Sequence, residues 1–304
     1  MTAIRPEPGH AAHAGRAETQ DAAFYCVSSG EYFLGAVGLI NSLRLVGHTE
    51  TIYLLDCGLS DAQRELLASE VTVVPAPTGT PPYLLKTVVP LAHPRDVRVL
   101  IDVDMVVTRP LTGLIREASQ GKVIAFQNRI DRFVPEWGEL LDLGPIRRAP
   151  YLSSGLVLLG GAVGEEVLEL WHDRQRVVEY ERGCFAEKVE DYPFLFLDQD
   201  VLNAILATRP QPGLIEALDL RLAPVPPFRG LEVRDPLALR CSYSDGIEPY
   251  VVHQYLPRKP WLDLAYDGVY SQMLRRLLTG PELAIRVPPR EIPLRMRSGA
   301  LAYA

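Results

Sequence analysis

Asp102 and Asp104 interrupt an otherwise apolar run, VLIDVDMVV. Burying two charges there is costly unless something positive neutralises them. In an extended chain, spacing by two puts both side chains on one face. Two hard oxygens on one face suit a divalent cation, Mg2+ or Mn2+. The plainer alternative is a turn or helix cap with solvated carboxylates. A carboxylate such as Asp102 can also act as a nucleophile, toward a phosphate ester for example.

Two further clusters carry chemistry. In VVHQYLPRKPW, His253 ends an apolar run, and Lys259 precedes Pro260 and Trp261. A lone His at a strand end is usually a plain core or surface residue. Beside Asp102 and Asp104, its imidazole would complete a three-ligand set suited to Mn2+, and Lys259 would meet phosphate charge beyond the ion. The other cluster is Asp198-Gln199-Asp200 at a helix start. The helix dipole favours acidic residues there, which leaves Gln199 free to point into a cleft.

These residues need a scaffold to gather them. AAFYCV from Ala22, TIYLLD (51–56), VTVVPA (71–76) and VRVLI (97–101) are short apolar runs suited to buried strands. Between the first two, Phe33, Val37, Ile40, Leu43 and Leu45 recur near helical spacing. Ser60 then caps an amphipathic helix. Strands alternating with helices predict a mostly parallel sheet flanked by crossover helices, an α/β fold. Asp102 falls at the carboxyl end of the fourth strand, where open α/β sheets bind ligands.

Further strands are predicted at KVIAF (122–126) and GLVLLG (155–160). Helices are predicted in LTGLIREASQG, closed by Gly121, from about Gly164 to Tyr180, over Gln199–Ala207 and near 266–278. Beyond residue 209 the chain is Pro-rich, with weak strands expected near 219–225 and 249–253. The organisation predicted is a flexible tail over 1–21, one domain over 22–285 with an irregular C-terminal part, and a tail over 286–304. That last segment carries Arg286, Arg290, Arg295 and Arg297. It reads as a solvated end, or as a weak peripheral contact for an anionic membrane.

Composition narrows the classes. With 304 residues, 47% hydrophobic and 23% charged, the chain can bury a core, which excludes disorder as its main state. A net charge of −7 without a basic stripe argues against nucleic acid. No apolar run approaches the ~18 residues of a membrane span, and the N-terminus lacks a signal-like stretch, so a cytoplasmic location is expected. Cys26, Cys57, Cys184 and Cys241 are scattered and read as buried thiols in a reducing compartment. Only four of the 31 basic residues are lysines, Lys86, Lys122, Lys188 and Lys259, which draws attention to each of them.

Four segments in order resemble retaining glycosyltransferases of family 8, the group of glycogenin and bacterial galactosyltransferases. They are Tyr83–Lys86 leading into VLIDVDMVV; YLSSGLVLL; FLDQDVLNAIL; and HQYLPRKPW. The openings YCVSSGEYFLGAVGLINSLRLVGH and TIYLLDCGLS resemble the family's nucleotide-binding start, so the likeness spans about residues 23–262. A first-motif likeness to haloacid-dehalogenase phosphatases is poorer: Met105 and Val106 follow where Gly-Thr is expected, and three βα units come first.

The family resemblance implies a GT-A type, Rossmann-like domain. It implies that Asp102 and Asp104 hold Mn2+ (or Mg2+) and touch the ribose, with His253 as third ligand. Lys259 would contact the donor diphosphate and Lys86 would lie over sugar and phosphates. Gln199 would sit beside the anomeric carbon, with Asp198 and Asp200 around the sugar. Tyr32 would stack on uracil. Val27, Ser28, Ser29, Val103, Ser153 and Ser154 are implied donor contacts. The chain departs from the family at Ser29 and Glu31, where Asp and Asn often read the base. It departs again at Ser153, where Asn is usual, and at Leu256, where HxxGxxKPW has Gly.

Breaking an anomeric carbon–phosphate bond builds negative charge on the diphosphate and positive charge on the ring. A cation and two lysines would stabilise the first, and a polar group such as Gln199 or Asp198 the second. The function expected is metal-dependent retaining hexosyl transfer from a nucleotide sugar, a UDP-hexose, to an acceptor not legible in the sequence. A phosphatase and a non-catalytic nucleotide-sugar binding protein are the alternatives.

Overall fold

A computed structural model describes residues 21–79, 84–184, 191–262 and 268–297. The expected N-terminal tail, apart from Asp21, lies outside the described residues, as do Tyr83 and the end of the C-terminal tail.

The chain opens with β1 (Ala22–Ser28), whose apolar residues are almost wholly buried. A 3-10 turn leads into α1 (Phe33–Leu45), buried from Phe33 to Leu43. A helix apolar on all sides must be covered on all sides. Its two polar interior residues are satisfied. Asn41 donates to the carbonyls of Leu277 and Ile285 at 2.9 Å each. Ser42 accepts the Val107 amide at 3.0 Å. Then come β2 (Thr51–Asp56), α2 (Asp61–Leu67), β3 (Thr72–Pro75), α3 (Val88–Ala92) and β4 (Val97–Ile101). Ser60 and Gln63 close the expected cap of α2 as a reciprocal pair.

The short β5 (Met105–Val107) follows, then α4 (Thr112–Ala118), β6 (Val123–Gln127), α5 (Trp137–Leu140), β7 (Leu152–Gly160), α6 (Gly161–Arg174) and α7 (Asp198–Leu206). Last are β8 (Ile215–Leu218), β9 (Leu231–Asp235), β10 (Arg240–Tyr243), β11 (Val251–His253), α8 (Val269–Thr279) and α9 (Leu294–Arg297).

The central sheet has seven strands in the order β3-β2-β1-β4-β7-β6-β8. It is mostly parallel, as predicted, but β7 runs antiparallel to both neighbours. Its reversal sets the start of β7, rather than its end, beside the end of β4: the Asp102 amide donates to the Gly155 carbonyl at 2.9 Å. A small second sheet pairs β5 with β11, antiparallel, with His253 opposite Met105. Apolar side chains cover both sheet faces, α1 and α8 on one side, α6 and α7 on the other.

Three expectations need correction. No strand forms over 219–225: β8 ends at Leu218, a 3-10 turn covers Leu220–Leu222, and Pro224, Pro226 and Pro227 supply no amides for a ladder. The helix expected from Gly164 to Tyr180 starts at Gly161, ends at Arg174 and gives way to 3-10 turns. The chain also does not leave the body at residue 285. Val287, Ile292 and Met296 are buried, and Arg295 and Arg297 donate to the carbonyls of Pro260 and Ile292. Apolar side chains at 287, 292 and 296 give this segment a reason to pack.

Candidate active site

The carboxyl ends of β1 and β4, the start of β7, the N-terminus of α7 and the loop after β11 surround a cleft of about 1020 Å³. Asp102 leaves β4, and Asp104 lies two residues on, ahead of β5. The β5–β11 pairing carries His253 to them, and the Gln254 amide donates to the Asp104 carbonyl at 3.0 Å. His253 Nε2 lies 3.1 Å from Asp104 Oδ1 and 3.8 Å from Asp102 Oδ2. One ligand atom from each of the three residues can be chosen within 4.8 Å of the others.

The donor set fits a divalent cation. Asp104 Oδ1 is buried without a well-formed hydrogen bond, facing an imidazole nitrogen that can itself be a lone-pair donor. Oxygen and imidazole ligands bind such ions near 2.0–2.2 Å, so two ligands of one ion can lie up to about 4.4 Å apart, and the His253 separations of 3.1 and 3.8 Å fall within that. Gly155 lines the same space. A Cβ there would come within 2.7 Å of His253 Cε1 and Met105 Cε and 3.1 Å of Asp102 Oδ2.

Each of the two acids is paired with its own lysine. Lys86 Nζ is 2.8 Å from Asp102 Oδ1 and 3.6 Å from Asp198 Oδ2, and donates to the Ser154 carbonyl at 3.0 Å. Burial opposes its charge, but Asp102 and Asp198 outweigh burial and raise its pKa. Lys259, 2% exposed, donates to Asp104 Oδ2 at 2.6 Å and to the Gln254 carbonyl at 2.5 Å. Burial works against the Asp104 carboxylate too; His253 and Lys259 overcome it and hold the group well below the usual range.

Tyr32 lines the cleft beside this cluster. Its ring meets the Trp261 indole edge-on at 6.1 Å, and burial, with Asp104 adding, pushes its phenol up to about 12. Trp261 is anchored by donating to the Glu31 carbonyl at 2.8 Å and packs against Gly35, where a Cβ would also meet the Val103 carbonyl at 2.8 Å.

At the far wall, α7 starts from Leu197, a non-glycine residue at φ 53°. This left-handed geometry costs of order 1–3 kcal/mol. Burial of the Leu197 side chain against Gly183 holds it there and aims Asp198 and Gln199 at the cleft. Burial raises the pKa of Asp198, with Lys86 opposing and Asp102 assisting. Asn203, one turn on, clasps the backbone of Leu152, accepting its amide at 2.7 Å and donating to its carbonyl at 2.8 Å. Its amide also donates to the Gln199 carbonyl at 2.8 Å, fixing α7 against β7.

Of the residues singled out by sequence, Val27, Ser29, Tyr32, Lys86, Asp102, Val103, Asp104, Ser153, Ser154, Asp198, Gln199, His253 and Lys259 line the cleft. Two do not. Ser28 is buried in β1 and donates to the Ser29 carbonyl. Asp200 is fully buried behind the wall, taking bonds from Tyr151, Arg132 and the Phe196 amide. Sequence reasoning missed Asn128, Arg129 and Tyr255, which line the cleft, and Tyr151, which sits behind Gln199. Only their amide, guanidinium or aromatic character hinted at a role, because their positions depend on loop paths.

No protein-family model matches the chain, and no curated relative matches it. Solved structures do. The galactosyltransferase LgtC in complex with donor and acceptor sugar analogues is similar with a TM-score of 0.54 at 18% identity, covering 86% of this chain and 98% of its own. A glutamine-to-glutamate active-site mutant of LgtC gives 0.56 at 18%, over 88% and 98%. The bifunctional glycosyltransferase WbbM gives 0.60 at 15% over 88% of this chain, which spans about half (51%) of that longer protein. The chain thus has the fold of glycosyltransferases, the GT-A type that the sequence pattern implies.

Proposed function

We propose that this protein is a retaining glycosyltransferase that moves a hexose from a UDP-sugar to an acceptor hydroxyl, using Mn2+ or Mg2+ held by Asp102, Asp104 and His253. The observation that carries the reading is the convergence of those three ligand groups, flanked by Lys86 and Lys259, in the cleft of a glycosyltransferase fold. The bound cation would neutralise charge gathering on the departing diphosphate.

The chain's own residues do the rest. Tyr32 offers a ring face to the base. Lys86 and Lys259 add positive charge where the phosphates must lie; both are held by carboxylates here and can be shared with a polyanion. Gln199 and Asp198 face the sugar. Asp200 is sealed behind Tyr151 with three donors on its carboxylate, so it is a support rather than a nucleophile. That favours front-face attack: the anomeric carbon–phosphate bond breaks, the acceptor oxygen bonds to the same face, and its proton passes to the leaving phosphate oxygen. Cytoplasmic location belongs to this proposal; among the described residues no helix is long and apolar enough to cross a membrane.

The test is UDP-hexose hydrolysis or transfer in Mn2+, in EDTA, and in Asp104→Ala. Turnover that needs the metal and falls about 10²–10³-fold in the variant is expected; full activity in EDTA refutes the metal role.

A further inference from the structure

Gln199 makes three side-chain hydrogen bonds that together fix the orientation of its amide. The Ser154 amide donates to Gln199 Oε1 at 3.1 Å. Asn128 Nδ2 donates to the same oxygen at 3.4 Å, and its own orientation is set because Asn128 Oδ1 accepts the Ile130 amide at 3.2 Å. A carbonyl oxygen has two lone pairs, and both are engaged.

The other end is fixed independently. Tyr151 has a single hydroxyl proton, which it donates to Asp200 Oδ1 at 2.5 Å. Asp200 also takes the Phe196 amide at 2.9 Å and Arg132 Nε at 3.0 Å, so it is an acceptor throughout. The Tyr151 oxygen can then only accept toward Gln199, whose Nε2 donates to it at 3.0 Å. The Tyr151 ring is buried between Trp137 and Phe196 and cannot turn away. Both constraints give the same amide orientation. One Nε2 hydrogen remains, without a partner among the described residues, on a side chain that lines the cleft.

We propose that Tyr151, held by Asp200 and Arg132, is a positioning residue that fixes the Gln199 amide so that an N–H, not the carbonyl oxygen, is offered to the bound donor. Such a donor binds an acceptor oxygen of the substrate, a sugar hydroxyl or a phosphate oxygen; it does not stabilise a positive ring directly. The assignment rests on the glycosyltransferase reading for its substrate, but its geometry stands apart from turnover.

The test combines NMR of the isotope-labelled full chain with kinetics. In the wild type, the Gln199 side-chain amide protons show stronger contacts to the Tyr151 ring than to the Ser154 amide proton. The reverse pattern overturns the proposal without reference to activity. In Tyr151→Phe, with folding checked by melting, kcat for UDP-hexose hydrolysis falls about tenfold while the donor KM stays within about twofold. An unchanged kcat, or a loss confined to KM, overturns it. If Tyr151→Phe does not fold, the wild-type contacts decide. A wild type with no turnover on any nucleotide sugar refutes the glycosyltransferase reading instead.

Discussion

Asp104 and Lys259, 155 residues apart in the chain, meet at 2.6 Å in the buried floor of the cleft. The contact joins the strand-tip acids to the loop after β11, and so joins the two halves of the site. Removing one partner of a buried pair strands the other and costs about 3–5 kcal/mol. Asp104→Ala should therefore lower the melting midpoint in EDTA, and Lys259→Met added to it should cost less than the two single changes summed. Strict additivity in that double-mutant cycle would contradict the coupling.

Gly155 leaves room for the ligand cluster. Gly155→Ala puts a methyl within 2.7 Å of His253 Cε1 and Met105 Cε. Overpacking of this kind costs about 1–3 kcal/mol. The expected result is a protein with native far-UV circular dichroism and weakened Mn2+ stabilisation in thermal shift. Unchanged Mn2+ binding would show that the cation sits elsewhere.

The acid limb of stability carries a signature of Asp104. Its pKa in the folded chain lies below the ordinary 3.8, because His253 and Lys259 outweigh burial. A depressed carboxyl stabilises the fold in full above its ordinary value and loses that contribution as pH falls through and below it. Melting curves in EDTA should therefore decline less steeply below pH about 4 in Asp104→Asn than in the wild type. Equal slopes would exclude the shift.

Asn203 ties α7 to β7 through Leu152 and Gln199. Asn203→Ala leaves a buried amide and carbonyl unpaired at about 1–3 kcal/mol each at most. It should lower the melting midpoint and reduce turnover without changing Mn2+ affinity. A parallel loss of Mn2+ affinity would mean that the α7 wall also supports the metal ligands.

Much of this arrangement is legible in the sequence, for identifiable reasons. The buried strands β1, β2 and β4 are unbroken apolar runs, and Ser60 carries its capping partner Gln63. Asp102, Asp104 and His253 stand out as polar groups in apolar surroundings, and the segment pattern relates them. The direction of β7 is not legible, because a buried strand reads the same in either sense. Nor is the retreat of Asp200 from the cleft: Asp198 and Asp200 are the same residue type, and the helical turn alone decides which of them lines it. The packing of residues 286–297 was obscured by four arginines spaced among the buried Val287, Ile292 and Met296.

The most direct test of the central claim is calorimetric binding of UDP to the wild type and to His253→Ala, each with Mn2+ and with EDTA. The wild type should bind UDP at least about tenfold more tightly with Mn2+, a difference of about 1.4 kcal/mol, and His253→Ala should lose most of that gain. UDP affinity that is the same with Mn2+ and with EDTA, in a folded wild type, would contradict a diphosphate gripped through a cation at Asp102, Asp104 and His253.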